Sequence, residues 1–214
     1  QDMKRMVAYS SVGHMGYILL AAAAATPVAL LGAVFQMVSH GLISALLFLL
    51  VGIVYRKTGT RDLSVLHGLL NPERGLPFTG TLMILGVMAS AGMPGMAGFI
   101  SEFMVFRGSI TAFPLATLLS MVGSGLTAVY FLLLVNRAFF GRLAVTPASD
   151  AVADGRLDVR LAPVAPRETI PAMGLAFAVV AIGLLPSGLG KLSEAASTSM
   201  AQLPYDPSKI SREL

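Results

Sequence analysis

The sequence predicts an all-α integral membrane protein with about five transmembrane helices, one of them discontinuous. Three observations predict it. Hydrophobic residues make up 55% of the 214-residue chain and charged residues 12%, with a mean hydropathy of +0.77; a soluble domain is about a quarter charged. Several uncharged runs approach or exceed the roughly 20 residues needed to cross a hydrocarbon core of about 30 Å. One long run is broken by the stretch GMPGMAG, after which a carboxylate, Glu102, follows.

In chain order, the apolar runs place spans at 7–25, 28–54, 76–110, 113–135 and 170–190. In lipid only a helix satisfies its own backbone over such runs. The first two are separated by Thr26 and Pro27 alone, which makes them a tight antiparallel hairpin. The third would reach beyond about 50 Å as a straight helix, so it must bend, tilt or break. Gly92, Pro94, Gly95 and Gly98 mark the place. The fourth carries Ser120, Gly123, Ser124, Gly125 and Thr127, small residues that favour close helix packing. Residues 1–143 thus read as one membrane segment of four helices. The stretch 144–168 is a polar loop rich in Ala, Pro and Asp, 169–192 is the last transmembrane helix, and 193–214 is a C-terminal tail.

Most of the 15 basic residues fall before the first span, between the second and third, and between the fourth and fifth. The positive-inside bias therefore places the N-terminal end in the cytoplasm and the C-terminus across the membrane. The pI of about 9.7 follows from that topology. The basic residues carry no nucleic-acid-reading motif, so no nucleic-acid partner is expected. With no cysteine, the chain builds no disulfide and no Cys-ligated cluster. No nucleotide-binding glycine loop is present, and no metal site is expected. The chain opens on Gln1, which reads as part of a longer protein.

Three ionisable residues stand well inside the spans: His14, His40 and Glu102. A charged side chain at mid-span costs about 2.5 to 3.5 kcal/mol on insertion scales, so each is a functional candidate. His14 and His40 are equidistant from Pro27, and in a hairpin they lie at equal depth, about 20 Å from the turn. Gln36, His40 and Ser44 follow at helical spacing, and Ser10 precedes His14 by four. These are the parts of a polar file in which histidine takes and releases protons. The competing reading keeps both histidines as neutral packing residues and puts Glu102 at an interface. If the helix is broken instead, Glu102 lies in the first turns of the resumed half-helix, where the dipole favours its anion. His67 lies in a polar loop and reads as solvated; the 12 methionines read as core.

The stretches QDMKRMVAYSSVGHMGY, QMVSHGLISALLFLLVG and GMPGMAGFISEFMVF, in this order and spacing, resemble the antiporter-like membrane subunits of respiratory complex I and its photosynthetic NDH-1 relatives. Within that group they most resemble subunit 4. The resemblance implies a fold of about fourteen helices with inverted repeats and a discontinuous helix in each, of which this chain is similar to the C-terminal part. It implies that Glu102 matches the family's acidic residue on the second discontinuous helix, and that His14 and His40 match the histidines of its central axis. Some sister subunits carry a lysine where Ser44 stands. The family's path also uses a glutamate and lysines on earlier helices absent from this chain, so the segment alone is not expected to form a complete channel.

Further stretches, NPERGLP, SHGLISALLFLLVG and SEFMVFRGS, resemble the cyanobacterial subunit 4 variants of CO2-uptake NDH-1. That implies a thylakoid subunit with a cytoplasmic N-terminal end and a lumenal C-terminus. It also implies a subunit 5-type neighbour and a peripheral CO2-hydration protein. No cofactor is expected on this chain, the iron–sulfur clusters and plastoquinone lying elsewhere in the complex. The chain would then be a non-redox, proton-translocating subunit of a quinone oxidoreductase. The alternatives are an ordinary respiratory complex I subunit, a subunit of a stand-alone multisubunit cation/proton antiporter, and a scaffold with a vestigial polar axis.

Overall fold

The computed structural model describes residues 2–145 and 161–202. The loop assigned to 144–168 and the tail assigned to 193–214 therefore lie partly outside the described residues. Helices α1 (Met3–Ala24), α2 (Pro27–Thr58), α3 (Pro77–Ser90), α4 (Ala97–Ser109), α5 (Pro114–Phe139), α6 (Pro166–Leu184) and α7 (Ser187–Ala201) make up the body. A two-residue antiparallel pairing joins β1 (Leu66–His67) to β2 (Ala144–Val145). Of the helices, α1, α2, α5 and α6 are each long and apolar enough to cross a membrane.

Local chemistry sets the helix ends. Asp2 caps α1 by accepting from the backbone N–H of Lys4 at 2.7 Å and of Arg5 at 3.2 Å. Thr26 caps α2 by accepting from Ala29 N–H at 3.1 Å, with Pro27 in the first turn where its missing N–H costs nothing. The same hydroxyl donates to Gly108 O at 2.9 Å, fastening the hairpin turn to the end of α4.

The discontinuous crossing is α3 followed by α4. Its register against α2 is fixed by three close approaches. A Cβ at Gly108 would meet Ala29, one at Gly32 would lie 2.6 Å from Val105 N, and one at Gly98 would lie 3.5 Å from Ile43 Cδ1. As the α2 number rises the α4 number falls, so the two helices run antiparallel. Gly86 of α3 continues the series, facing Leu47. Lipid tails are as apolar as Leu, so close backbone approach at small residues replaces the hydrophobic drive that holds a soluble core. Phe35, Leu46, Leu47, Leu50, Phe131 and Phe139 fill the remaining space.

The segment assigned to one last helix at 169–192 is two helices. α6 ends at Leu184, Pro186 interrupts the backbone ladder, and α7 resumes at Ser187. A Cβ at Gly183 would strike the backbone of Gly95 and Met96, so α6 ends against the break between α3 and α4. At its other end, Glu168 is buried; its Oε1 pairs with Arg56 Nη2 at 2.8 Å while Oε2 accepts from Ala165 N–H at 3.3 Å. Arg56→Ala would leave that carboxylate without its cation. A loss of about 1–3 kcal/mol is expected, read as a lower thermal midpoint of the purified protein, and Glu168→Gln in the same chain should restore part of it.

Candidate functional site: a buried histidine and carboxylate cluster at the helix break

The break spans residues 91–96. Gly92 has φ +73 and Gly95 φ +87, left-handed conformations that favour glycine. Pro94, between them, is exposed, and Gly95 faces Leu184. Some carbonyls freed at the end of α3 are satisfied locally, Ala91 N–H donating to Val87 O at 2.9 Å and Met93 N–H to Met88 O at 3.1 Å.

Glu102 lies in the second turn of α4, one turn deeper than the dipole acts most strongly. Helical side chains lean toward the N-terminus, and this one folds back over the break. Its Oε2 would stand 3.0 Å from any Cβ at Gly92. That oxygen accepts from Ser124 Oγ of α5 at 2.7 Å. The other, Oε1, faces His14 Nδ1 of α1 at 3.7 Å, an ion-pair distance too long for a hydrogen bond. Glu102 and His14 are each 5% exposed.

His14 joins the three helices around it. Its Nδ1 is 3.0 Å from Gln36 Nε2 of α2, and its Nε2 is 3.2 Å from Ser90 Oγ, the last residue of α3. The His40 ring of α2 lies 4.9 Å away, centroid to centroid, tilted by 35°. The two histidines, equidistant from the turn in sequence, therefore touch. Tyr17, one turn along α1, meets His14 edge-on at 5.6 Å and packs on Phe106 at 5.4 Å; its hydroxyl lies 3.9 Å from the Cβ position of Gly123 on α5. The connected groups thus run from His40 and Tyr17 through His14 to Glu102 and Ser124.

Four further polar residues sit differently. Ser44 donates back to His40 O at 2.6 Å within its own helix and adds nothing to the cluster. Ser10 donates to Val7 O at 2.7 Å within its own helix, away from His14. Ser39 and Ser101, hydrogen-bonded at 2.9 Å, tie α2 to α4 beside the site. Ser90, Tyr17 and Ser124 belong to the cluster although the sequence reading did not select them. Only Tyr17 carried a signal, its three-residue spacing from His14 on one helix face. His67 lies outside, its Nδ1 at 3.0 Å from Arg137 O. Among the described residues no group of three or more His, Cys, Asp or Glu is placed to hold a metal.

A buried acid beside a base, on a broken helix in an apolar bundle, is an arrangement found in ion-translocating membrane proteins, and comparison with known proteins gives the class: antiporter-like membrane subunits. Residues 1–127 match the family described as NADH:quinone oxidoreductase/Mrp antiporter, transmembrane, and the chain belongs to that family. It is 35% identical over 94% of its length to NAD(P)H-quinone oxidoreductase chain 4 2 of Thermosynechococcus vestitus, covering 37% of that relative. It is 40% identical over 66% of its length to NADH-quinone oxidoreductase subunit M of Escherichia coli K12, covering 27%. A chain of respiratory complex I from Thermus thermophilus superposes with a TM-score of 0.82 at 25% identity, over 95% of this chain and 40% of that one. A chain of the Mrp complex from Dietzia does so with a TM-score of 0.73 at 25% identity, over 96% and 43%. The chain thus spans about a third of the length of the curated chain 4 relatives it matches.

Proposed function

We propose that this chain carries the second-half proton site of an antiporter-like subunit 4 in an NDH-1 type quinone oxidoreductase. One observation carries the reading: a buried carboxylate and two histidines from three different helices meet where a membrane helix is interrupted. Such groups in mid-membrane mark ion and proton paths. His14, His40 and Glu102 exchange the proton; Gln36, Ser90, Ser124 and Tyr17 hold them in place. The chain itself holds no redox group, and the clusters and plastoquinone lie elsewhere in the complex. The cyanobacterial relatives and the stretches NPERGLP and SEFMVFRGS support a thylakoid subunit of the CO2-uptake form. Its N-terminal end would be cytoplasmic and its C-terminus lumenal, beside a subunit 5-type chain and a peripheral CO2-hydration protein.

His14→Gln keeps a polar side chain of similar size and removes the titrating ring. Donor-driven proton translocation in vesicles is expected to fall about tenfold or more, with the complex assembled. Unchanged translocation would return the cluster to a packing role. The likeness to the Mrp complex favours a second reading, a cation/proton antiporter subunit; sodium-dependent proton exchange without an electron donor would select it.

A further inference from the structure

Gln36 touches the one His14 nitrogen that faces Glu102. It is 1% exposed, and its Nε2 lies 3.0 Å from His14 Nδ1. An amide nitrogen only donates, so Nδ1 accepts, and the proton of the neutral ring sits on Nε2, toward Ser90. Within the cluster two buried acceptors are left without a hydrogen-bond partner among the described residues: Gln36 Oε1 and Glu102 Oε1. Such orphans are costly to bury and call for an explanation. A half-turn of the carboxamide exchanges Nε2 for Oε1 against Nδ1. Each orientation therefore matches a different state of Nδ1, bare or protonated.

We propose that Gln36 is a two-position switch that reads the protonation of His14. With the ring neutral, Gln36 Nε2 donates to Nδ1. When a proton passes from the Glu102 carboxyl to Nδ1, a carboxylate and an imidazolium form, and the carboxamide turns so that Oε1 accepts from Nδ1–H. The Gln36 oxygen then gains a hydrogen-bond donor, and the Glu102 carboxylate gains an imidazolium at ion-pair distance, 3.7 Å. The Nε2–H remains on the Ser90 side, so protons enter and leave His14 by different nitrogens. The groups facing His14 are Tyr17 of its own helix, Gln36 and His40 of α2, Ser90 of α3 and Glu102 of α4. Of these only Gln36 stands within hydrogen-bond distance of Nδ1, and by rotating in place it can offer either a donor or an acceptor. The inference rests on the reading of His14 and Glu102 as proton carriers.

The test uses the full-length protein in its complex. Gln36→Met keeps length and volume and removes both functions; donor-driven proton translocation should fall about tenfold, the worth of one hydrogen bond. A residue that only fills space would tolerate Met. Solid-state 15N spectra of the His14 ring, assigned by their loss in His14→Gln, should show a bare Nδ1 and a protonated Nε2 in the resting wild type, and mixed tautomers in Gln36→Met. The wild-type spectrum decides even if the variant does not assemble. Wild-type pumping by Gln36→Met, or a resting proton on Nδ1, would overturn the switch. Loss of pumping in His14→Gln with normal pumping in Gln36→Met removes the switch alone; normal pumping in His14→Gln removes the proton path as well.

Discussion

On the proposed proton path, Glu102→Gln is expected to cut proton translocation sharply while leaving the helix break intact. The glutamine has the same length and can still accept from Ser124 Oγ, which holds the native Oε2 at 2.7 Å. What it lacks is a titrating proton 3.7 Å from His14. Positioned proton-transfer groups contribute about 10²- to 10⁴-fold, so translocation should drop by about 10²-fold. Quinone reduction and proton uptake in vesicles, with assembly followed on native gels, separate that loss from misfolding. Glu102→Asp should be intermediate, because one methylene fewer draws the carboxyl back from His14 while keeping its chemistry. Full pumping by Glu102→Gln would leave GMPGMAG as a packing kink only.

What the sequence made legible here depended on how local the signal was. The hairpin could be read because Thr26 and Pro27 leave no room for another connection, and the break because glycine and proline interrupt an apolar run. His14 and His40 could be placed level because equal spacing from a turn fixes depth on both arms. Ser44 could not be judged so simply. Each four-residue step turns about 40°, so eight residues separate Ser44 from Gln36 by about 80° around α2, and its hydroxyl bonds its own helix instead. Ser90 and Ser124 were indistinguishable from the other small residues of α3 and α5. Their roles come from which helix lies opposite, and that is tertiary information. The last helix was read too long because LLPSG continues the apolar count; the proline governs the backbone whatever the count.

Gly98→Ala is expected to be the most damaging substitution of a single methyl group in this segment. Gly98 is in the first turn of α4, and a Cβ there would overlap Ala89 O, in the last turn of α3. A clash with a flexible side chain is relieved by a rotamer change, but this one is with backbone. The two half-helices must separate, and Ile43 Cδ1, 3.5 Å away on α2, limits where α4 can go. Overpacking a tight contact costs about 1–3 kcal/mol, occasionally more, and the upper end is expected. Glu102, one turn further along α4, moves with the helix, so pumping should fall even in complexes that assemble. Gly125→Ala is the control: nothing lies within 4 Å of its Cβ position, and the helix gains up to about 1 kcal/mol from losing a glycine. Thermal midpoints of the two variant complexes should therefore move in opposite directions. If Gly98→Ala keeps the wild-type midpoint, the half-helices are not held by this contact, and the position of Glu102 must be set by Ser124 and Gly92 alone.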